Sequence, residues 1–98
     1  MVQETFLLEV VPGKEQEFET AFQKATPYIL SAKGCLGLEI HHCLERENKY
    51  MVLIKWETVE DHVIVFKNSK AFEEMKSLIG PYYLHAPQVE HYRLIDSK

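Results

Sequence analysis

The sequence is poor in cysteine, and its two cysteines are badly placed to form a disulfide. Cys35 and Cys43 are eight positions apart in a chain of 98 residues. On one extended strand, which the pattern below predicts, that separation spans roughly 26 Å, whereas a disulfide needs Cα atoms within about 7 Å. We therefore expect two reduced thiols in a reducing compartment.

Clustered positive charge and long apolar runs are also missing. The net charge is −4, and acidic and basic residues are interspersed. Without a basic patch, neither nucleic acid nor an anionic membrane surface is an expected partner. The apolar stretch at residues 6–11 is far shorter than the ~18 residues of a membrane span, and no positively charged segment precedes it as in a signal peptide. These absences predict a cytoplasmic protein that binds neither nucleic acid nor membrane.

The chain does have the length and the apolar content of one folded domain. It contains 98 residues, of which 46 % are hydrophobic, and it shows no repeat, linker or low-complexity segment. We therefore interpret residues 1–98 as a single domain.

Apolar periodicity predicts four strands and two helical regions. The strands are expected at residues 5–11, 35–45, 50–57 and 89–95. The first helix is expected at residues 14–33, where Pro27 should kink it or split it into two abutting helices. The second region should start at Thr58 and contain a short second helix capped by Ser69. The order β-α-β-β-α-β predicts an α+β, ferredoxin-like fold with a four-stranded antiparallel sheet and helices on one face.

The uncovered face of such a sheet should be polar, but in this sequence it is not. The apolar residues expected there are Leu7, Val11, Met51, Leu53 and one of the pairs Val89/Ile95 or Tyr92/Leu94. An apolar patch of that extent is unusual on a monomer of this size. We therefore predict a symmetric homodimer that buries it.

Four stretches occur in an order and spacing known from one family. They are VVPGKEQEF at 10–18, GCLG at 34–37, KWETVEDHVIVFKNSKAF at 55–72 and PQVEHY at 87–92. Together they resemble the antibiotic biosynthesis monooxygenase family over nearly the whole chain. The resemblance implies a dimeric α/β barrel, in which two four-stranded sheets face each other, and a pocket in each subunit between sheet and helices.

The same resemblance implies a choice of activities. Relatives include cofactor-free monooxygenases of phenolic or quinol-like aromatics, haem-degrading enzymes and a signal-molecule-processing branch. The haem branch implies an Asn and an iron-binding His where this chain has Phe6 and, approximately, Lys76. We therefore expect a monooxygenase without a cofactor that uses O₂ and a small aromatic substrate. A non-catalytic ligand-binding or stress-related dimer is the alternative.

Three residues are candidates for catalysis. Trp56 could stack on a flat substrate, as the resemblance implies, or could be a large core residue at the sheet edge. His62 could be a general acid or base, or a partly exposed histidine. His42 lies on the apolar face of its strand, where it needs a polar partner that could be a ligand, water, backbone or a tyrosine.

Cofactor-free oxygenation also needs an apolar cavity that holds the substrate and excludes water. The candidates to line it are Phe6, Phe22, Phe66, Phe72, Met75, Tyr82 and His91. The same spacings are typical of ordinary core residues, and His91 qualifies only if its face of the last strand looks toward the helices. No spacing among the histidines favours a metal site.

Overall fold

The computed structural model describes residues 1–98 as an antiparallel sheet with helices packed on one face. The strands are β1 (Val2–Glu9), β2 (Cys35–His42), β3 (Lys49–Trp56) and β4 (Glu90–Tyr92). The helices are α1 (Glu15–Leu30), a π-helix (Asp61–Phe66), α2 (Lys70–Ile79) and a 3₁₀ turn (Gly80–Tyr82). The strands lie in the order β2-β3-β1-β4, which confirms the predicted α+β ferredoxin-like fold.

Several boundaries differ from the prediction. β1 begins at Val2 instead of Thr5, and β4 is limited to three residues. α1 runs through Pro27 as one helix. Of the two predicted alternatives, a kink or two abutting helices, the second is therefore wrong. The proline removes one N–H donor from the helix, but the backbone N–H of Ser31 still donates to the Pro27 carbonyl at 3.0 Å. The hydrogen bonds of the last turn are thereby kept.

Both predicted caps in the second helical region are confirmed. The Asp61 N–H donates to Thr58 Oγ1 at 3.1 Å, and the Phe72 N–H donates to Ser69 Oγ at 3.2 Å. Between them the helix widens, because the Lys67 N–H donates to the carbonyl of His62, five residues earlier, at 3.1 Å. Such π-turns are rare and have no reliable sequence signature, which is why a plain helix was expected here.

The π-helix is packed against the turn between α1 and β2. Gly34 adopts φ +80° in this turn, a conformation that residues with a side chain avoid. A Cβ at Gly34 would overlap the carboxyl group of Asp61 and lie 2.9 Å from its Cβ. The Gly34 carbonyl also accepts a hydrogen bond from the Glu57 N–H at 2.8 Å. The glycine therefore permits a close approach of three segments beside the end of β3.

The helix-facing side of the sheet carries the hydrophobic core. On β1, alternate residues point toward the helices, and Phe6 and Leu8 are buried there. Glu4 has the same parity and is only 4 % exposed, so an acidic side chain extends this apolar row.

The opposite side of the sheet has no cover, and we call it the open face. It includes Thr5, Leu7, Met51, Leu53 and Tyr92. Leu7 and Tyr92 are about half exposed, at 53 % and 52 %, and Thr5 Oγ1 is buried without a hydrogen-bond partner. On β4, Tyr92 thus belongs to the open face, whereas Leu94 and Ile95 lie beyond the end of the strand and are both exposed. His91, one position away, points toward the helices.

Candidate active site

A cavity of about 250 Å³ lies between the helix-facing side of the sheet and the helices. Most of its lining is apolar. Five of the predicted lining residues are present, namely Phe6, Phe22, Phe66, Phe72 and Met75. An apolar protein cavity of about 150 Å³ can hold a benzene ring, so this space suits a molecule of one or two rings.

Glu4 is the acidic group on the wall of this cavity. Its Oε1 accepts a hydrogen bond from Trp56 Nε1 at 2.9 Å and lies 3.3 Å from His62 Nε2. Burial raises the pKa of Glu4 from 4.5 to about 7, although the Trp56 hydrogen bond and the positive charge of Lys67 act in the opposite direction. Near neutral pH the carboxyl group is therefore present in both its protonated and its ionised form.

His62 connects Glu4 to a second histidine. Its Nδ1 lies 2.8 Å from His91 Nε2. Burial lowers the pKa of His62 to about 4, and the positive charges of His91 and Lys67 disfavour its protonation further. His62 is therefore neutral at pH 7, and its close approach to Glu4 is not an ion pair.

The contact between the two histidines needs a proton on one of the facing nitrogens, so either His91 Nε2 or His62 Nδ1 is the donor. On the other side of its ring, His62 approaches Oε1 of Glu4 through Nε2. Neither contact involves Glu4 Oε2, which leaves that oxygen to meet a ligand.

Trp56 lies behind the cavity lining and contacts both Glu4 and His62. Its side chain is fully buried and does not line the cavity. The indole stacks on His62 at a centroid distance of 5.3 Å, with 21° between the planes, and lies 5.5 Å from the ring of Phe66. The expectation that Trp56 stacks on a substrate is therefore corrected: it is a core residue that donates a hydrogen bond to Glu4.

His42 lies apart from the cavity. As predicted it is on the helix-facing side, but it is exposed and stacks on Tyr50 at 4.3 Å. Its Nε2 contacts the carbonyl of Glu47, and its Nδ1 lies 3.8 Å from Glu19 Oε2. Because backbone and a tyrosine supply its partners, the expectation that His42 joins His62 at one site is wrong.

Tyr82 and His91, which were also expected to line the cavity, do not line it. Tyr82 packs its ring 6.4 Å from that of Phe18, outside the cavity, and its neighbour Tyr83 lines the cavity instead. A 3₁₀ turn ends at Tyr82. Periodicity does not predict the direction of the chain after this turn, and hence which of the two tyrosines faces the cavity. His91 contacts His62 but does not itself line the cavity.

Glu4, Lys67, Lys76 and Tyr83 line the cavity but were not among the candidates. The sequence does contain a pattern that places Glu4 beside the cavity. It lies two residues before Phe6 and therefore continues the apolar row of β1, where an acidic side chain is costly unless it has a use. For the lysines the sequence carried no comparable signal.

Neither a metal site nor a membrane-spanning helix is found in the chain. No group of three His, Cys, Asp or Glu side chains has an arrangement that could hold a metal ion. No helix has both the length and the apolar character needed to cross a membrane.

The model of one protein family, described as antibiotic biosynthesis monooxygenase, matches residues 1–77. The chain belongs to this family. The match confirms the resemblance found in the sequence motifs.

The chain is similar over almost its whole length to two further proteins. It is 41 % identical to the uncharacterized protein YczJ of Bacillus subtilis (strain 168) over 93 residues, which is 95 % of this chain and 98 % of YczJ. A crystal structure from Bordetella bronchiseptica, assigned to the same monooxygenases, shares 34 % identity and a TM-score of 0.92, with 96 % of each chain covered.

The fold is also shared with a more distant protein. SnoaB of Streptomyces nogalater, described as a cofactor-independent oxygenase, has a TM-score of 0.85 at 12 % identity, covering 98 % of this chain and 94 % of SnoaB. At this identity the similarity shows a common fold alone.

Proposed function

We propose that the protein is a cofactor-independent monooxygenase that oxidises a small phenolic or quinol-like aromatic with O₂. The observation that carries this proposal is a buried carboxyl group, Glu4, with a pKa of about 7 on the wall of an apolar cavity. A group that exchanges its proton near neutral pH is suited to general base catalysis. Family membership, and the fold shared with an oxygenase that needs no cofactor, support the choice of reaction.

In this mechanism Glu4 removes a proton from the substrate. Its Oε2 accepts the proton, while Oε1 keeps the hydrogen bond from Trp56. The substrate anion is electron-rich and transfers one electron to O₂, and the resulting radical pair combines to form a C–O bond. Glu4 returns its proton to the peroxide, and loss of water leaves a carbonyl group. Overall, a phenol with a free ring C–H and O₂ become a quinone and H₂O.

His62 and His91 hold the carboxyl group in a row of polar side chains. His62 faces Glu4 with Nε2 and His91 with Nδ1. His91 is half-buried on β4, closer to solvent than Glu4. The three side chains thus form a polar row from the cavity toward the surface.

Oxygen uptake tests the proposed function. With dihydroxylated one- and two-ring aromatics, we expect consumption of one O₂ per substrate without added flavin, haem or metal. With ¹⁸O₂, one labelled atom should enter the product and the other should enter water. If no aromatic in the panel consumes O₂ above its uncatalysed rate, the monooxygenase proposal fails. Stabilisation against heat by the same aromatics, without turnover, would then favour the non-catalytic ligand-binding alternative.

We also propose that the open face is the interface of a homodimer. Leu7 and Tyr92 lie exposed on it beside the half-buried Met51 and Leu53. The buried hydroxyl of Thr5 has no partner within the chain. Burial of such a patch against a second copy removes apolar surface from water. Because the cavity lies on the other side of the sheet, each subunit would keep its own site.

An acidic residue at Leu7 should prevent this association. Leu7→Asp places a charge in the centre of the open face, where pairing would bury it without a partner. Light scattering after gel filtration should give twice the chain mass of 11.5 kDa for the unmodified protein and one chain mass for the variant. Leu30→Asp is the matched control, because Leu30 is similarly exposed, at 50 %, but lies at the end of α1. One chain mass for the unmodified protein would contradict the proposal.

A further inference from the structure

Two lysines line a cavity whose walls are otherwise mostly apolar. Lys67 directly follows the π-helix, and Lys76 lies on α2. Both lysines are exposed to solvent, and neither forms an ion pair with an acidic side chain. The chain therefore leaves two positive charges without an internal partner at the same cavity.

The two lysines have different positions along the cavity. The charge of Lys67 acts on both Glu4 and His62, so it lies near the carboxyl group. Lys76, with Tyr83 and Ala86, borders the cavity and also a larger outer groove formed by α2 and the chain after it. Lys76 thus stands where the cavity opens toward the surface.

These charges favour an anionic ligand. Positive groups beside a low-dielectric cavity attract negative charge more strongly than they would in water. Because Glu4 is partly protonated at neutral pH, it does not cancel the two lysines. A neutral aromatic would leave both ammonium groups in water, whereas an acid could pair with them.

We propose that the substrate is a hydroxylated aromatic acid, with its ring in the cavity beside Glu4 and its carboxylate bound by Lys67 and Lys76. That this ligand is oxidised rests on the proposed function, but its binding through a carboxylate can be measured without any reaction. The cavity of about 250 Å³ restricts the ring system to one or two rings.

Binding without O₂ tests this inference with a matched series of ligands. The series is 2,5-dihydroxybenzoate, its methyl ester and hydroquinone, measured by calorimetry under nitrogen. We expect the acid to bind about tenfold more tightly than the ester, which has a similar shape and no charge. Lys67→Met and Lys76→Met should each reduce this preference, and the corresponding arginine variants should retain it. Lys70→Met, a control on α2 away from the cavity, should leave the preference unchanged.

Equal affinity for the acid and the ester would overturn the inference, as would no binding of the acid at millimolar concentration. The same holds if the methionine variants weaken all three ligands equally, since the lysines would then not recognise the carboxylate. The outcome is separable from the proposed function. A protein that prefers the acid but consumes no O₂ contradicts the monooxygenase proposal alone, and one that oxidises hydroquinone without preferring the acid contradicts only this inference.

Discussion

Replacement of Glu4 by glutamine should lower kcat for oxygen uptake by about 10²–10⁴-fold, the usual contribution of a general base. Glutamine has nearly the same shape and can still accept the hydrogen bond from Trp56 Nε1. It cannot take a proton from the substrate. Ligand affinity should therefore change little while turnover is lost, and both can be measured on the same preparation.

Glu19→Gln is the matched control for this variant. Glu19 also accepts a hydrogen bond from an aromatic side chain, since Tyr50 Oη donates to its Oε2 at 2.6 Å, but it does not line the cavity. Its replacement should leave kcat unchanged. A Glu4→Gln variant with unchanged kcat would contradict the role of Glu4.

The pH profile separates Glu4 from His62 as the base. Only the ionised carboxylate accepts a proton, so kcat/KM should rise with pH and level off above the Glu4 pKa of about 7. Below that pKa it should fall about tenfold per pH unit, because the ionised fraction falls in that proportion. A midpoint near 4 would instead indicate His62, whose pKa is lowered to about 4.

Gly34→Ala should lower the free energy of unfolding by about 2–5 kcal/mol, from two separate causes. The left-handed φ of +80° costs a residue with a side chain about 1–2 kcal/mol. The new methyl group would also overlap Asp61, and relief of such a contact costs about 1–3 kcal/mol. Urea denaturation measures the sum of the two costs, provided that the dependence of the unfolding free energy on urea concentration is the same for both proteins.

Two other glycines separate the causes. Gly13 has φ +88° but no atom within 4 Å of the position of a Cβ, so Gly13→Ala should show only the conformational cost. Gly37 has neither a positive φ nor a neighbour at that position, so its replacement should change stability by less than about 0.5 kcal/mol. Equal losses for the variants at Gly34 and Gly13 would show that the Asp61 contact has no energetic weight.

Local patterns were sufficient for the fold because they determine which residues share a face. Alternation on the strands and three- or four-residue spacing on α1 follow from backbone geometry, and Ser69 and Thr58 cap helices by a local hydrogen bond. These features need no knowledge of distant residues. The π-turn at His62 depends on contacts with β3 and Gly34, and no local pattern encodes them.

The site was predicted only in part, since it depends on where strands end and which of them are neighbours. With the start of β1 placed at Thr5, Glu4 lay outside the strand, although its parity matched that of Phe6. His91 could not be oriented before the pairing of β4 with β1 was known, which puts it opposite Glu4. His42 faced the correct side, but β2 lies at the sheet edge farthest from β4.

Trp56 is the only tryptophan of the chain, and its indole is bonded to Glu4 and stacked on His62. All indole fluorescence of the protein therefore originates at a ring in direct contact with the proposed base. Ionisation of the carboxyl group changes the electric field at the indole, and a ligand beside Glu4 changes it again. The molecule thus contains an intrinsic optical reporter, which can follow binding and proton exchange in real time without a label or an engineered probe.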